Sequence, residues 1–86
     1  MRKNSMTITV KITISLKDGM LDPEAQAIQH ALSNLGFETT SLSTARVFNV
    51  GIDTDSPEEA EIMAAEMCDR LLANPVIHSY ELEAVK

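Results

Sequence analysis

From Met6 to Leu16 the sequence alternates without a break, reading M-T-I-T-V-K-I-T-I-S-L. Met6, Ile8, Val10, Ile12, Ile14 and Leu16 are apolar. Thr7, Thr9, Lys11, Thr13 and Ser15 between them are polar. Strand side chains point to alternate faces, so this period predicts a strand with one buried and one wet face. Its β-branched residues suit a pleated surface. At ~3.3 Å per residue the strand would reach roughly 35 Å, about twice the usual length. A chain of 86 residues has little with which to cover it, so part is expected to pack or pair outside its own subunit.

Two helices are expected to lie against this strand. Lys17-Asp18-Gly19 reads as a turn. Asp22 can cap a helix that opens with Pro23 and Glu24, and Gly36 is placed to end it in the left-handed region. Ala25, Ile28, Ala31, Leu32 and Leu35 form its apolar stripe. Glu38 to Ser43 is polar and fits a short strand or a loop. Ala45 to Asp53 reads as a strand with Phe48, Val50 and Ile52 on one face. Ser56-Pro57-Glu58-Glu59 is a capping box. The helix it opens should run to about Ala73 on a stripe of Ala60, Met63, Ala64, Met67 and Leu71, widened by Cys68 and Leu72. Asn74-Pro75 stops it. Val76 to Val85 completes the order as a strand, with Ile77 out of phase unless a bulge lies near His78.

This order predicts a single domain over residues 1–86 of α+β class. The expected fold is a ferredoxin-like sandwich, with two amphipathic helices on one face of a three- or four-stranded, mostly antiparallel sheet. The materials for its core are thin, with two Phe, one Tyr, no Trp and five Met. Small domains with few aromatics often gain stability by self-association, so an oligomer is expected. The formal net charge is −6, which argues against nucleic acid and anionic membranes as partners. One cysteine cannot form an internal disulfide, in keeping with a cytoplasmic protein. Arg2 and Lys3 precede no apolar run, so neither a signal peptide nor a membrane span is expected.

The search for chemistry centres on the stretch MCDRLLANPVIHSY, residues 67–80, which holds the only cysteine and the only tyrosine. Cys68 falls within the apolar stripe near a helix C-terminus, where the dipole opposes a thiolate, and reads as a core residue. His78 opens a strand and suits an edge or interface; His30 lies beside the first helix's stripe and suits the surface. One cysteine and two distant histidines make no metal site, and the scattered glycines make no phosphate loop. Ile62, opposite the second stripe, is a lone apolar residue that can mark an interface. Arg46 begins a strand with no charge partner nearby in sequence and can anchor a partner's carboxylate. These readings support a non-catalytic, self-associating module.

The runs Leu16-Lys17-Asp18-Gly19-Met20-Leu21-Asp22-Pro23-Glu24-Ala25, Ala31-Leu32-Ser33-Asn34-Leu35-Gly36-Phe37, Ala45-Arg46-Val47, and Glu66 through Ile77 together resemble the PurS family. That family is the small subunit of phosphoribosylformylglycinamidine synthase in purine biosynthesis, and the resemblance spans Met6 to Glu83. It implies a PurL-type synthetase subunit, which holds ATP and magnesium and activates the amide of formylglycinamide ribonucleotide. It also implies a PurQ-type glutaminase subunit that releases ammonia. The resemblance gives this chain no catalytic residue and no cofactor of its own. Its role would be, as a homodimer or homotetramer, to bridge the two subunits and assist ammonia transfer. Arg46, His78, Tyr80 and Asp22 are the candidates for partner contact. Asp18 stands where the family commonly has proline. Phe48 and Asn49 stand where it has glycine and lysine, so the contacts of that pair are not carried over. The alternative is a ferredoxin-like module that senses a small metabolite.

Overall fold

The computed structural model describes residues 7–85. Met6 and the basic Arg2 and Lys3 lie outside the described residues. The elements run β1 (Thr7–Leu16), α1 (Pro23–Asn34), β2 (Ala45–Asp53), α2 (Pro57–Met67), a π turn (Cys68–Leu72) and β3 (His78–Val85). β1 is the central strand of an antiparallel sheet of order β2-β1-β3. The α+β class is as the periodicity predicts. The polar stretch before β2 is a loop rather than a strand, so the sheet of the described residues has three strands.

The alternation in β1 becomes the core. Ile8, Val10, Ile12 and Ile14 are buried, and burial of such a side chain is worth roughly 1.5–3 kcal/mol. Cross-strand neighbours extend the same face in rows: Phe48, Ile12 and Leu82; Val50, Val10 and Ala84. The opposite face carries Thr7, Thr9, Lys11, Thr13 and Ser15, and Lys11 lies between Asn49 and Glu83.

α2 covers the apolar face through Ala60, Ala64 and Cys68, all fully buried. These small residues allow helix and sheet to approach closely. Its start follows the sequence only in part. Ser56 Oγ accepts from the Glu59 N–H at 3.2 Å. The reciprocal half of the capping box is absent, because the Glu59 carboxylate accepts from Thr54 Oγ1 at 2.8 Å. Residues four apart drift about 40° per step around an α-helix. The π turn, closed by the Ala73 N–H to the Cys68 carbonyl at 2.9 Å, offsets that drift. It brings Leu72 onto the core, while Leu71, assigned to the stripe from sequence, is 84% exposed.

α1 departs from expectation in its packing. Asp22 Oδ1 accepts from the Ala25 N–H at 3.0 Å, and Gly36 takes φ +98° just past the end, as the cap pattern predicts. Yet Ala25 is its one buried residue, and Ile28, Leu35 and the following Phe37 are exposed. The helix layer packed on the sheet is therefore supplied by α2. Propensity and caps form α1 locally, but in the single chain its stripe has no surface to meet. The Cα radius of gyration is 17.1 Å, against roughly 12 Å for a compact domain of this length.

The last strand needs no bulge. The β1–β3 register is unbroken from Leu16↔His78 to Thr9↔Val85. Ile77 sits in the turn before the strand, which removes its phase conflict. Asn74 organises that turn: its carbonyl accepts from the N–H groups of Ile77 and His78, and its Oδ1 accepts from the Val76 N–H at 2.9 Å.

Candidate functional site

One end of the sheet gathers the residues that the sequence singled out. β1 ends there at Leu16, β2 begins there and β3 begins there. Arg46 and Tyr80 flank Ile14 in one cross-strand row, and His78 pairs with Leu16 one row further on. All three even-numbered positions share the face that carries the core. An open cleft of about 270 Å³ is lined by Ile14, Glu24, Arg46, Leu72 and His78 among others. Asp22 lines an adjoining cleft of about 360 Å³ that shares Ser15, Leu16 and Thr44 with the first.

Each side chain is held differently. The Arg46 guanidinium lies 5.1 Å from the centre of the Phe48 ring, a cation–π distance. It makes no hydrogen bond or ion pair among the described residues, nor does the Glu24 carboxylate. His78 Nδ1 accepts from the Asn74 N–H at 2.9 Å. That nitrogen therefore carries no proton, which leaves Nε2–H as the ring's free donor. The Tyr80 hydroxyl donates to Asp69 Oδ1 at 3.3 Å. Burial first, and then the Asp69 charge and this bond, push the Tyr80 phenol up from its ordinary range.

Asp22 is committed locally. Besides capping α1 it accepts from Thr44 Oγ1 at 2.8 Å, which ties the start of α1 to the residue before β2. The Ala25 N–H bond, followed by the Thr44 hydroxyl, holds its carboxyl below the usual carboxylate range. Its role here is to fix the loop that delivers Arg46.

Cys68, the first residue of the π turn, is fully buried in the core cluster that also holds the β1 isoleucines, Ala60 and Ala64. Burial, and secondarily Asp69, push its thiol up, the opposite of an activated nucleophile. No group of His, Cys, Asp and Glu among the described residues could hold a metal ion. No helix among them is long and apolar enough to cross a membrane. His30 lies in a separate polar recess on α1 with Gln26 and Glu38. Ile62 is 67% exposed on the outer side of α2, as its phase predicts.

Two participants are not apparent from the sequence. Glu24 serves the helix dipole, but it also faces the same cleft as Arg46. Lys17 Nζ donates to the Pro75 carbonyl at 2.7 Å, and its N–H donates to the Ile77 carbonyl at 2.8 Å. Those bonds clamp the end of β1 to the turn before β3. The proximity of Lys17 and Pro75 depends on the β1–β3 pairing, which no local pattern announces.

This end of the sheet brings together a cation free of ion pairs among the described residues, an exposed carboxylate, an imidazole N–H and apolar walls. A model of the PurS family, described as phosphoribosylformylglycinamidine (FGAM) synthase, matches residues 9–86. The PurS subunit of phosphoribosylformylglycinamidine synthase from Methanothermobacter thermautotrophicus is 46% identical over 77 residues, covering 90% of this chain and 92% of that one. The solved PurS of Methanocaldococcus jannaschii superposes with a TM-score of 0.83 at 39% identity, covering 92% and 96% of the two chains. A chain in the solved structure of PurLQS from Thermotoga maritima shares the fold at a TM-score of 0.84 and 21% identity, covering 93% and 99%.

Proposed function

Because this chain belongs to the PurS family, we propose that it is the non-catalytic assembly subunit of phosphoribosylformylglycinamidine synthase in purine biosynthesis. Residues 1–86 act as one PurS-like domain in the cytoplasm, as a homodimer or homotetramer. It bridges a PurL-type synthetase subunit, which holds ATP and magnesium, and a PurQ-type glutaminase subunit. It needs no cofactor itself. Arg46, His78 and Tyr80 form the partner-contact end of the sheet, with Asp22 fixing the adjoining loop.

The observation that carries this reading is the amount of surface left open. The accessible area is 6517 Å², against roughly 5000 Å² for a compact monomer of 9.4 kDa. A standard interface takes about 800 Å² from each partner, so a surplus of this order leaves room for more than one contact. Much of it is apolar, including Leu21, Leu35, Phe37, Leu71 and Val76. Such surface suits a part completed by other proteins.

The physics of the role is positioning. Ammonia released in bulk water diffuses away or takes up a proton. Two active sites held together keep it concentrated and unprotonated until it displaces phosphate. A spacer can do this with rigid strands and several faces.

The test is reconstitution. The chain is mixed with its synthetase and glutaminase partners, followed by size exclusion and by glutamine-dependent turnover with and without it. Co-elution and turnover that requires the chain support the reading. Equal turnover in its absence, or saturable binding of glutamine or a nucleotide to the chain alone, overturns it in favour of a dispensable or sensing module.

A further inference from the structure

The cleft at the Arg46 end of the sheet holds a cation and an anion that do not meet. Arg46 reaches it from β2 and Glu24 from the first turn of α1, and both line the same space of about 270 Å³. Both residues are exposed, and neither charged group makes an ion pair or a hydrogen bond among the described residues. Opposite charges in one cleft attract, and an arginine side chain is long and turns freely. The ring of Phe48 holds the pair apart. Arg46 and Phe48 stand two apart on β2, so their side chains leave the same face of the sheet. The guanidinium lies 5.1 Å from the ring centre, within cation–π range. The ring itself is fixed, since Phe48 sits opposite Ile12 in the ladder and packs on the core cluster. At an exposed site a cation–π contact and a single ion pair are of similar strength. A Glu24–Arg46 pair would have to order two long side chains, whereas the ring is ordered already.

We propose that Phe48 is a positioning residue: it holds Arg46 away from Glu24, so that the cleft keeps both charges for a complementary acid–base pair on a partner subunit. This rests on the assembly role proposed above and names what one of its contacts recognises. The occupant is a protein surface that sets a carboxylate beside a lysine or arginine. The carboxylate meets the Arg46 fork, and His78, which lines the same cleft, has its Nε2–H free as a second donor. The basic group meets Glu24. Ile14, Leu16 and Leu72 give the cleft apolar walls, and a lower local dielectric strengthens such pairs. An arginine folded onto Glu24 would neutralise both charges and leave neither for the partner. Phe48 therefore acts on binding through Arg46, without touching the partner.

The test reads the affinity of the chain for the synthetase and for the glutaminase by surface plasmon resonance. Phe48→Leu should weaken binding to one of them at least fivefold, and Glu24→Gln alone about threefold. Independent losses would multiply to about fifteenfold. The proposal requires otherwise: the double variant Phe48→Leu, Glu24→Gln binds no more weakly than Phe48→Leu alone, because removal of the anion frees Arg46 again. A packing defect at position 48 is not relieved at position 24. Phe48→Tyr keeps the ring and should bind as the native chain does. In proton–nitrogen correlation spectra the Arg46 Nε–H proton should be shifted upfield by the ring in the native chain and in Phe48→Tyr, but not in Phe48→Leu. Far-UV circular dichroism confirms the fold of each variant. Multiplied losses in the double variant overturn the proposal, as does a native Arg46 proton with no ring shift. So does a self-association of the chain that weakens with Phe48→Leu and recovers with Glu24→Gln in sedimentation equilibrium, since the occupant is then a second copy. Glutamine-dependent turnover of the native chain with both partners is run alongside. Turnover that requires the chain, beside multiplied losses, refutes this proposal alone; turnover indifferent to the chain refutes the assembly role.

Discussion

Replacing Cys68 by alanine separates a chemical role for the chain from a structural one. The residue is fully buried in the same core cluster as Ala60 and Ala64. Deleting its sulfur removes one atom's worth of apolar burial, about 0.8 kcal/mol by analogy with a methylene. A residual void of roughly 20 Å³ adds about 0.5 kcal/mol at ~24 cal/mol per Å³. Cys68→Ala should therefore lower stability by about 1.3 kcal/mol, read as a lower urea midpoint with an unchanged slope. Cys68→Ser should cost more, about 2–3 kcal/mol, because it buries a hydroxyl among apolar neighbours. Both variants, once folded, should support assembly and glutamine-dependent turnover at the wild-type level. The thiol should also resist a disulfide reagent in the native state and react on unfolding. A folded, assembled Cys68→Ala protein that supports no turnover would refute the reasoning.

Three further expectations follow from the geometry. The Asp22 carboxyl is held below its ordinary value of 3.8, so the native state binds its proton less readily than the unfolded chain does. Its contribution is present above that value and is lost as pH falls through the lower native one. Asp22→Asn should flatten the acid limb of an unfolding titration and speed amide exchange at Ala25. Leu71→Ser should change stability by less than about 0.5 kcal/mol, as for ordinary surface substitutions. Leu72→Ala, on the core, should cost about 2 kcal/mol or more by chemical denaturation. Arg46→Glu should leave the chain's own melting temperature nearly unchanged, since the side chain pairs with no carboxylate among the described residues. It should weaken binding to the synthetase or glutaminase at least tenfold by surface plasmon resonance, more steeply at low salt.

Structure is legible in this sequence wherever one local interaction dominates. Period two marks the inward residues of β1, and the alternation that bounds β2 agrees with the strand seen. Asp22, Pro23 and Gly36 mark α1 because caps are short-range hydrogen bonds and backbone preferences. Which surface each element meets is not legible. The α1 stripe is periodic, yet helical periodicity reports amphipathicity and says nothing of the partner. Leu71 and Leu72 are equally apolar, and a single wide turn decides between them. The clamp of Lys17 on Pro75 depends on strand pairing between distant segments. Arg46, His78 and Tyr80 stand out separately in the sequence, and only the antiparallel register brings them to one end of the sheet.

Both the legible and the illegible parts have one physical origin. The apolar content of this chain is distributed for more than one contact. β1 and α2 satisfy each other, since small alanines on the helix let it sit close over the isoleucines of the strand. α1 is equally well specified as a helix but is not specified to pack on its own sheet, and Phe48, Val50, Tyr80 and Leu82 remain only partly covered. In a catalytic domain such exposure would be a liability, because open apolar surface invites aggregation. In a subunit it makes folding and assembly draw on the same free energy. Each partner that binds the native chain and not the unfolded one adds to its stability by mass action. The incompleteness of the core and the exposed stripe of α1 therefore have one physical consequence: the apolar surface that the monomer leaves open is the surface from which association would draw its free energy.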